Sequence, residues 1–113
     1  MANEPLLIWL DDERDPTQLR WQERFPVDSP AVVWLQSFEA FAAWIEDNGL
    51  PQAISFDHDL GHERKSGLDA AKHLVNYCLD QDAPLPIWAV HSANPVGSEN
   101  IKALLGSFER HVH

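Results

Sequence analysis

Four short apolar runs punctuate the chain, and three of them give way abruptly to acids or histidine. Leu6-Leu-Ile-Trp-Leu10 runs into Asp11-Asp12-Glu13, Ile54-Ser-Phe56 into Asp57-His58-Asp59, and Ile87-Trp-Ala-Val90 into His91-Ser92, while Ala31 to Leu35 precedes a helix start at Ser37. Runs this short and this continuously apolar suit strands covered on both faces of a sheet. Sheets of that kind hold their ligands at the carboxyl ends of the strands. Polar residues recurring at those ends are therefore a functional signal.

Helical periodicity fills the intervals. Asp15-Pro16 predicts a short helix through about Phe25, since Asp caps and Pro suits the first helical position, although the apolar pattern there is weak. Ser37 reads as an N-cap, with Phe38, Phe41, Ala42 and Ile45 on one face and Asn48-Gly49 as the stop. Ser66 and Asp69 form a box-like start for a helix carrying Leu68, Ala71, Leu74, Val75 and Cys78. Pro84 and Pro86 break the chain before the fourth strand, and a last helix is expected after Ser98, with Ile101, Leu104, Leu105 and Phe108 inward. The third strand is placed at Ala53 to Asp57. Strand and helix alternating four times imply right-handed crossovers and a parallel α/β sheet with helices on both faces. The fourth strand is expected at an edge, covered by the last helix or paired with another copy.

At 113 residues, 1–113 reads as a single domain. Hydrophobic content of 44%, with five Trp and five Phe, predicts a packed core. Trp9, Trp34, Trp44 and Trp88 lie in apolar segments and are assigned to it, while Trp21, on the weak first helix, has no clear place. No apolar stretch reaches the length of a membrane span, and no signal-peptide pattern opens the chain. The single Cys78 cannot form an internal disulfide, and a core cysteine of a cytoplasmic protein is the expectation. The formal charge of −10, from 18 acidic and 8 basic side chains, argues against duplex DNA as a partner. It leaves room for a small phosphate-containing ligand or an RNA end held through a cation, and a protein partner stays open.

Asp11, Asp12 and Asp57 have two readings: turn formers and caps, or a cation site. Three carboxylates at neighbouring strand ends repel one another unless a cation or proton intervenes, which favours the second, and hard oxygens suit Mg²⁺ or Mn²⁺. His58 and His91 are either hydrogen-bonded structural residues or proton carriers. Arg14 either grips a phosphate or pairs with a neighbouring carboxylate. Ser92 either donates to a phosphoryl oxygen or caps a turn, and Asn94, in Asn94-Pro95, either contacts substrate or fixes the loop. His62, His73, His111 and His113 read as surface or helix residues.

The motifs Leu10-Asp-Asp-Glu-Arg-Asp-Pro16, Ser55-Phe-Asp-His-Asp-Leu-Gly61 and His91-Ser-Ala-Asn-Pro-Val-Gly97 fall in order at strand ends. Over nearly the whole chain they resemble response-regulator receiver domains, and more narrowly the cyclic-phosphate processing receiver-like domains of phage and bacterial genomes. The resemblance implies a three-layer, flavodoxin-like sandwich of strand order 2-1-3-4 that lacks the usual fifth strand. It implies Asp11 and Asp12 as the acidic pair, Asp57 at the phosphoacceptor position, Ser92 as the hydroxyl after the fourth strand, and the backbone carbonyl of Asp59 as a further metal ligand. Departures are equally plain. No residue matches the lysine that closes the receivers' fifth strand, Gly61 stands where they usually carry Pro, and His58 and His91 are additions.

The expected function is a Mg²⁺- or Mn²⁺-dependent phosphoesterase acting on a cyclic nucleotide or an RNA 2′,3′-cyclic end. Asp57, His58, His91 and Ser92 would be catalytic, Arg14, Ser92 and Asn94 substrate-binding, and Asp11, Asp12, Asp57 and Asp59 metal-binding. The alternative is a non-enzymatic receiver-like phosphoacceptor, or a ligand- or protein-binding signalling module. An acidic inhibitor of a host protein fits the charge but has no motif behind it.

Overall fold

The computed structural model describes residues 6–28, 30–60 and 65–112. Strands β1 (Leu6–Leu10), β2 (Ala31–Leu35), β3 (Ala53–Phe56) and β4 (Ile87–Val90) alternate with helices α1 (Leu19–Gln22), α2 (Phe38–Asn48), α3 (Gly67–Gln81) and α4 (Pro95–Val112). The strands are all parallel, in the order β2-β1-β3-β4, the doubly wound arrangement expected from the alternation.

Burial follows position in the sheet. Leu7 to Leu10 of β1 and all of β3 are inaccessible to solvent, as continuous apolar runs in central strands require. The edge strands are different. β2 alternates half-buried and exposed residues, and Ile87 of β4 is 55% exposed, so β4 is an edge that α4 contacts without fully covering. Trp34, assigned to the core from its apolar segment, is 38% exposed on β2, because an edge strand has only one covered face. Trp44 and Trp88 are partly buried against the core, as expected, and the Trp88 indole donates to Glu109 at 3.0 Å.

One face of the sheet presents Ile8, Leu10, Ile54 and Phe56 to Phe41 and Ile45 of α2, to Ala70, Ala71, Leu74 and Cys78 of α3, and to Ile101 and Leu105 of α4. Local signals set these helices. The Ser37 hydroxyl accepts from the Ala40 amide at 3.1 Å, and Gly49 closes α2 at φ 83°, where a Cβ would be strained. Ser66 and Asp69 form the complete capping box foreseen for α3.

The opposite face presents Trp9 and Ser55, and its covering is mostly irregular. The expected helix from Asp15 to Phe25 shrinks to the four residues of α1. Asp15 spends its side chain on the amide and hydroxyl of Thr17, at 2.8 and 2.7 Å, closing a turn in place of a longer helix. The connection still serves the core, for Phe25 meets the Trp9 ring edge-on at 5.5 Å. At the other end of the chain α4 starts earlier than expected. Asn94, and not Ser98, is the N-cap: its Oδ1 accepts from the Gly97 amide and its carbonyl from that of Ser98, both at 2.9 Å, and Pro95 takes the first helical position. The first turn carries exposed Val96 and no apolar period, so periodicity alone begins one turn late. His62 and His113 lie outside the described residues, as do Gly61 and the side chain of His111. His73 does lie on α3, with its Nε2 3.5 Å from Glu46.

A fully buried leucine and a half-buried cap are expected to differ in cost. Leu74→Ala should destabilise by about 2–5 kcal/mol through lost burial and the cavity left behind, and Ser66→Ala by about 1 kcal/mol. Urea denaturation followed by circular dichroism measures both; equal losses would contradict this account of the core.

Candidate metal site at the carboxyl edge of the sheet

The sheet's register decides which side chains meet. Leu10, Leu35, Phe56 and Val90 are aligned across the four strands, and the ladder continues one residue beyond them. The Asp11 amide donates to Leu35, that of Asp57 to Leu10, and that of His91 to Phe56, at 3.1, 2.9 and 2.9 Å. Backbone pairing, not side-chain attraction, brings these three residues into one row. Asp11, Asp12 and Asp57 each offer an oxygen within 4.8 Å of the others. The carboxylates open onto a cavity of about 200 Å³ that is also lined by Arg14, Asp59 and Ala93.

Asp11 is fully buried and the most heavily bonded of the three. Its Oδ1 accepts from the amides of Glu13 and Arg14, at 2.9 and 2.8 Å, and its Oδ2 lies 3.0 Å from His91 Nε2 and 3.4 Å from Arg14 Nη1. Burial is the largest influence on this carboxyl and pushes its pKa up, but the bonds from His91 and the two amides outweigh it and bring the pKa below the ordinary value. Asp57 goes the other way: burial first, then the charge of Asp11, raise it against a hydrogen bond from Ser92 and the charges of His91 and Arg14. Burial also raises half-buried Asp12, helped by repulsion from Glu13 and Asp11.

Arg14 supplies positive charge at the row. Its backbone is anchored at both ends, the amide by Asp11 and the carbonyl by the Trp9 indole at 2.9 Å. The guanidinium lies 3.5 Å from Asp57 and stacks on Trp21, whose ring also carries Arg20. Ion-pair contacts of 3.4–3.5 Å are longer than the roughly 2.7–2.9 Å of strong charge-assisted bonds, so the carboxylates are incompletely neutralised. A buried, all-oxygen, under-compensated donor set fits a hard divalent cation.

The two expected histidines occupy different surroundings. His91 is buried, its ring stacked on Trp9 at 3.7 Å, its Nδ1 2.7 Å from the Ser55 hydroxyl and its Nε2 on Asp11. His58 lies at the rim with Nδ1 2.9 Å from Asp59 Oδ1, the same oxygen that accepts from the Asn94 amide at 3.2 Å. Those two bonds hold the Asp59 carboxyl below its ordinary pKa. The Ser92 hydroxyl, whose influence lowers the Asp57 pKa, accepts from the Asn94 backbone N–H at 3.1 Å. Five participants escaped the sequence reading of the site: Trp9, Trp21, Trp34, Ser55 and Gly97. Ser55 did leave a signal, as a hydroxyl inside a strand otherwise apolar. Trp34 left none, since its bond from the indole to the Asp11 carbonyl, at 2.7 Å, depends on strand pairing.

Folding raises the Asp57 pKa, so the folded state keeps that proton longer than the unfolded chain, and stability falls as pH rises through the higher value. In EDTA near neutral pH, Asp57→Asn should therefore be more stable than wild type by on the order of 1 kcal/mol. The gap should close as pH falls below the ordinary value of 3.8, where both states are protonated. Mg²⁺ at a hundred times its Kd should stabilise wild type by about 2.7 kcal/mol and Asp57→Asn by less, reversing the order. Urea melts across pH, with and without Mg²⁺, measure both effects; a variant that gains as much from Mg²⁺ as wild type would remove Asp57 from the cation site.

Comparison with known proteins places this geometry. No curated protein matches the chain. Among solved structures, a yeast Spc42 trimeric coiled-coil segment fused to another structure matches with TM-score 0.61 and 17% identity over 90% of this chain, which spans 63% of that fusion. The signal receiver domain of a modulated diguanylate cyclase from Desulfovibrio desulfuricans G20 matches with TM-score 0.57 and 16% identity, covering 90% of this chain and 76% of that one. A signal receiver domain from Vibrio parahaemolyticus matches with TM-score 0.51 and 14% identity, covering 97% and 93%. Likeness at such identities establishes the fold. The family comes from the sequence model of the cyclic-phosphate processing receiver domain, which matches residues 6–107. By fold and by that match, the chain belongs to the cyclic-phosphate processing receiver domain family.

Proposed function

We propose that this domain is a Mg²⁺- or Mn²⁺-dependent phosphoesterase that opens a cyclic phosphodiester, in a cyclic nucleotide or at an RNA 2′,3′-cyclic end. The observation that carries the reading is the shared cavity in which Asp11, Asp12 and Asp57 face Arg14. When bound, the cation would neutralise charge developing on the phosphate oxygens. Asp11, Asp12 and Asp57 would hold it, with the carbonyl of Asp59 as a further ligand. Arg14 and Ser92 orient the phosphate, and the Asn94 amide borders it. His58 and His91 serve as the proton carriers: water attacks phosphorus and loses a proton, the ring P–O bond breaks, and the departing ribose oxygen gains a proton. Asp57 offers a second route, attacking phosphorus itself and releasing the same ribose oxygen, before water hydrolyses the acyl phosphate. The unpaired, buried Cys78 suits a reducing, cytoplasmic setting.

A second reading, a phosphoacceptor or signalling module without turnover, is favoured by one observation. Asp57 has the Ser92 hydroxyl and the Arg14 guanidinium beside it, a hydroxyl and a cation at a carboxylate of the kind that accepts a phosphoryl group. In this sequence Arg14 would supply the charge that receivers take from their lysine.

Phosphorus NMR of 2′,3′- and 3′,5′-cyclic nucleotides, with Mg²⁺ or EDTA, separates the two. Ring opening that EDTA abolishes supports the esterase, and Asp57→Asn or the pair His58→Ala, His91→Ala should then slow it by about a hundredfold or more. Turnover untouched by those changes sinks the mechanism. A stoichiometric beryllofluoride adduct at Asp57, with every ring intact, would establish the phosphoacceptor.

A further inference from the structure

Beside the carboxylates, residues from two separate motifs form one hydrogen-bonded chain whose polarity is determined. Asn94 caps α4 through its Oδ1, which accepts from the Gly97 amide, so its Nδ2 is the group directed to Asp59 Oδ1. That oxygen takes the Asn94 N–H at 3.2 Å and, as a carboxylate oxygen, has no hydrogen to give, so it is an acceptor. The His58 nitrogen 2.9 Å from it must then be the donor. A neutral imidazole that donates from Nδ1 carries its lone pair on Nε2. Tautomer and ring direction are thus both fixed by a side chain that is itself fixed by a helix cap.

Gly97 completes the arrangement. A Cβ at this position would come within 2.2 Å of His58 Cγ and 2.5 Å of Cδ2 and Nδ1, so the ring lies directly against the first turn of α4. No other residue leaves that space. His91 contrasts at each point: its side chain is inaccessible while that of His58 is 20% exposed, and both of its nitrogens are engaged in the interior.

We propose that Asp59, Asn94 and Gly97 are positioning residues forming a socket that presents His58 Nε2 to a phosphate-bearing ligand, while His91 stays in the interior, bonded to Asp11. The inference deepens the phosphate-handling reading and rests on it. It gives Gly97 a role, turns the side chains of Asp59 and Asn94 to orientation, and distinguishes two imidazoles that are equivalent in the sequence.

Nitrogen-15 correlation spectra of the histidine rings test it on the full chain, loaded with Mg²⁺ at about pH 9, where imidazole is neutral. In wild type, His58 should show the Nδ1–H tautomer, and its signals should move further than those of His91 when inorganic phosphate is added. Gly97→Ala should lose both features while keeping Mg²⁺ affinity within about twofold and the fold intact, since alanine favours helix over glycine. Val96→Ala, at a neighbouring residue 72% exposed, should change neither. Asp59→Ala should release the tautomer without moving α4. A His58 ring unchanged in Gly97→Ala, or phosphate shifts confined to His91, would overturn the proposal. Ring opening of a cyclic nucleotide with His58 silent to phosphate would also overturn it and leave the esterase standing. No response from either ring, with no turnover, would remove both.

Discussion

Parallel pairing carries the backbone ladder one residue past the ends of β1, β3 and β4, and that extra rung fixes where the chemistry sits. Asp11, Asp57 and His91 each donate an amide to the last carbonyl of a neighbouring strand, so none can leave the row without breaking a backbone bond. A buried carboxylate is costly unless paired or hydrogen-bonded. Asp11 meets that requirement four times over, through two amides, an imidazole and a guanidinium. Asp57 meets it less well, and its raised pKa records the shortfall. The fold thus stabilises one acid and leaves its neighbour under-compensated at the mouth of a cavity.

The irregular connection between β1 and β2 acquires a purpose in that setting. A regular helix over the Trp9 face would add burial, but its side chains would repeat on a fixed period. The turn closed by Asp15 and the four-residue α1 instead deliver Phe25 to Trp9 and Trp21 to Arg14. Trp9 then braces the site twice, stacking on the His91 ring and donating its indole N–H to the Arg14 carbonyl. Packing of the second sheet face and positioning of the charged groups rest on the same residues.

Much of this was legible in the sequence, for a physical reason. Strand runs, caps and turn residues are local, and Ser37, Gly49 and the Ser66–Asp69 box act where they stand. Strand order and family followed from motifs falling at successive strand ends, and the acidic cluster from hard oxygens recurring there. What escaped was non-local or irregular. The helix expected from Asp15 failed because Asp15 caps a turn as readily as a helix, and the start of α4 was misjudged because Asn94-Pro95 reads equally as loop or cap. Trp34 looked like core because the sequence does not say which strand is at the edge. The different surroundings of His58 and His91 depend on Ser55, Trp9 and Gly97, residues whose proximity only the tertiary structure creates.

Charge at the cavity constrains the order in which ligands can bind. Three carboxylates face one guanidinium, so the local balance is negative unless both Asp57 and Asp12, each raised in pKa, keep a proton. The chain as a whole, at −10, adds a field of the same sign. A phosphate approaching such a surface meets repulsion that Arg14 alone cannot offset, since its guanidinium is already divided between Asp11 and Asp57. A divalent cation would cancel that balance and weaken the carboxylates' hold on Arg14. On the proposed function, cation and phosphate affinity would therefore be thermodynamically coupled, each strengthening the other by the same factor. Under that reading the small donor set on the carboxyl edge would recognise the pair together rather than either ion alone.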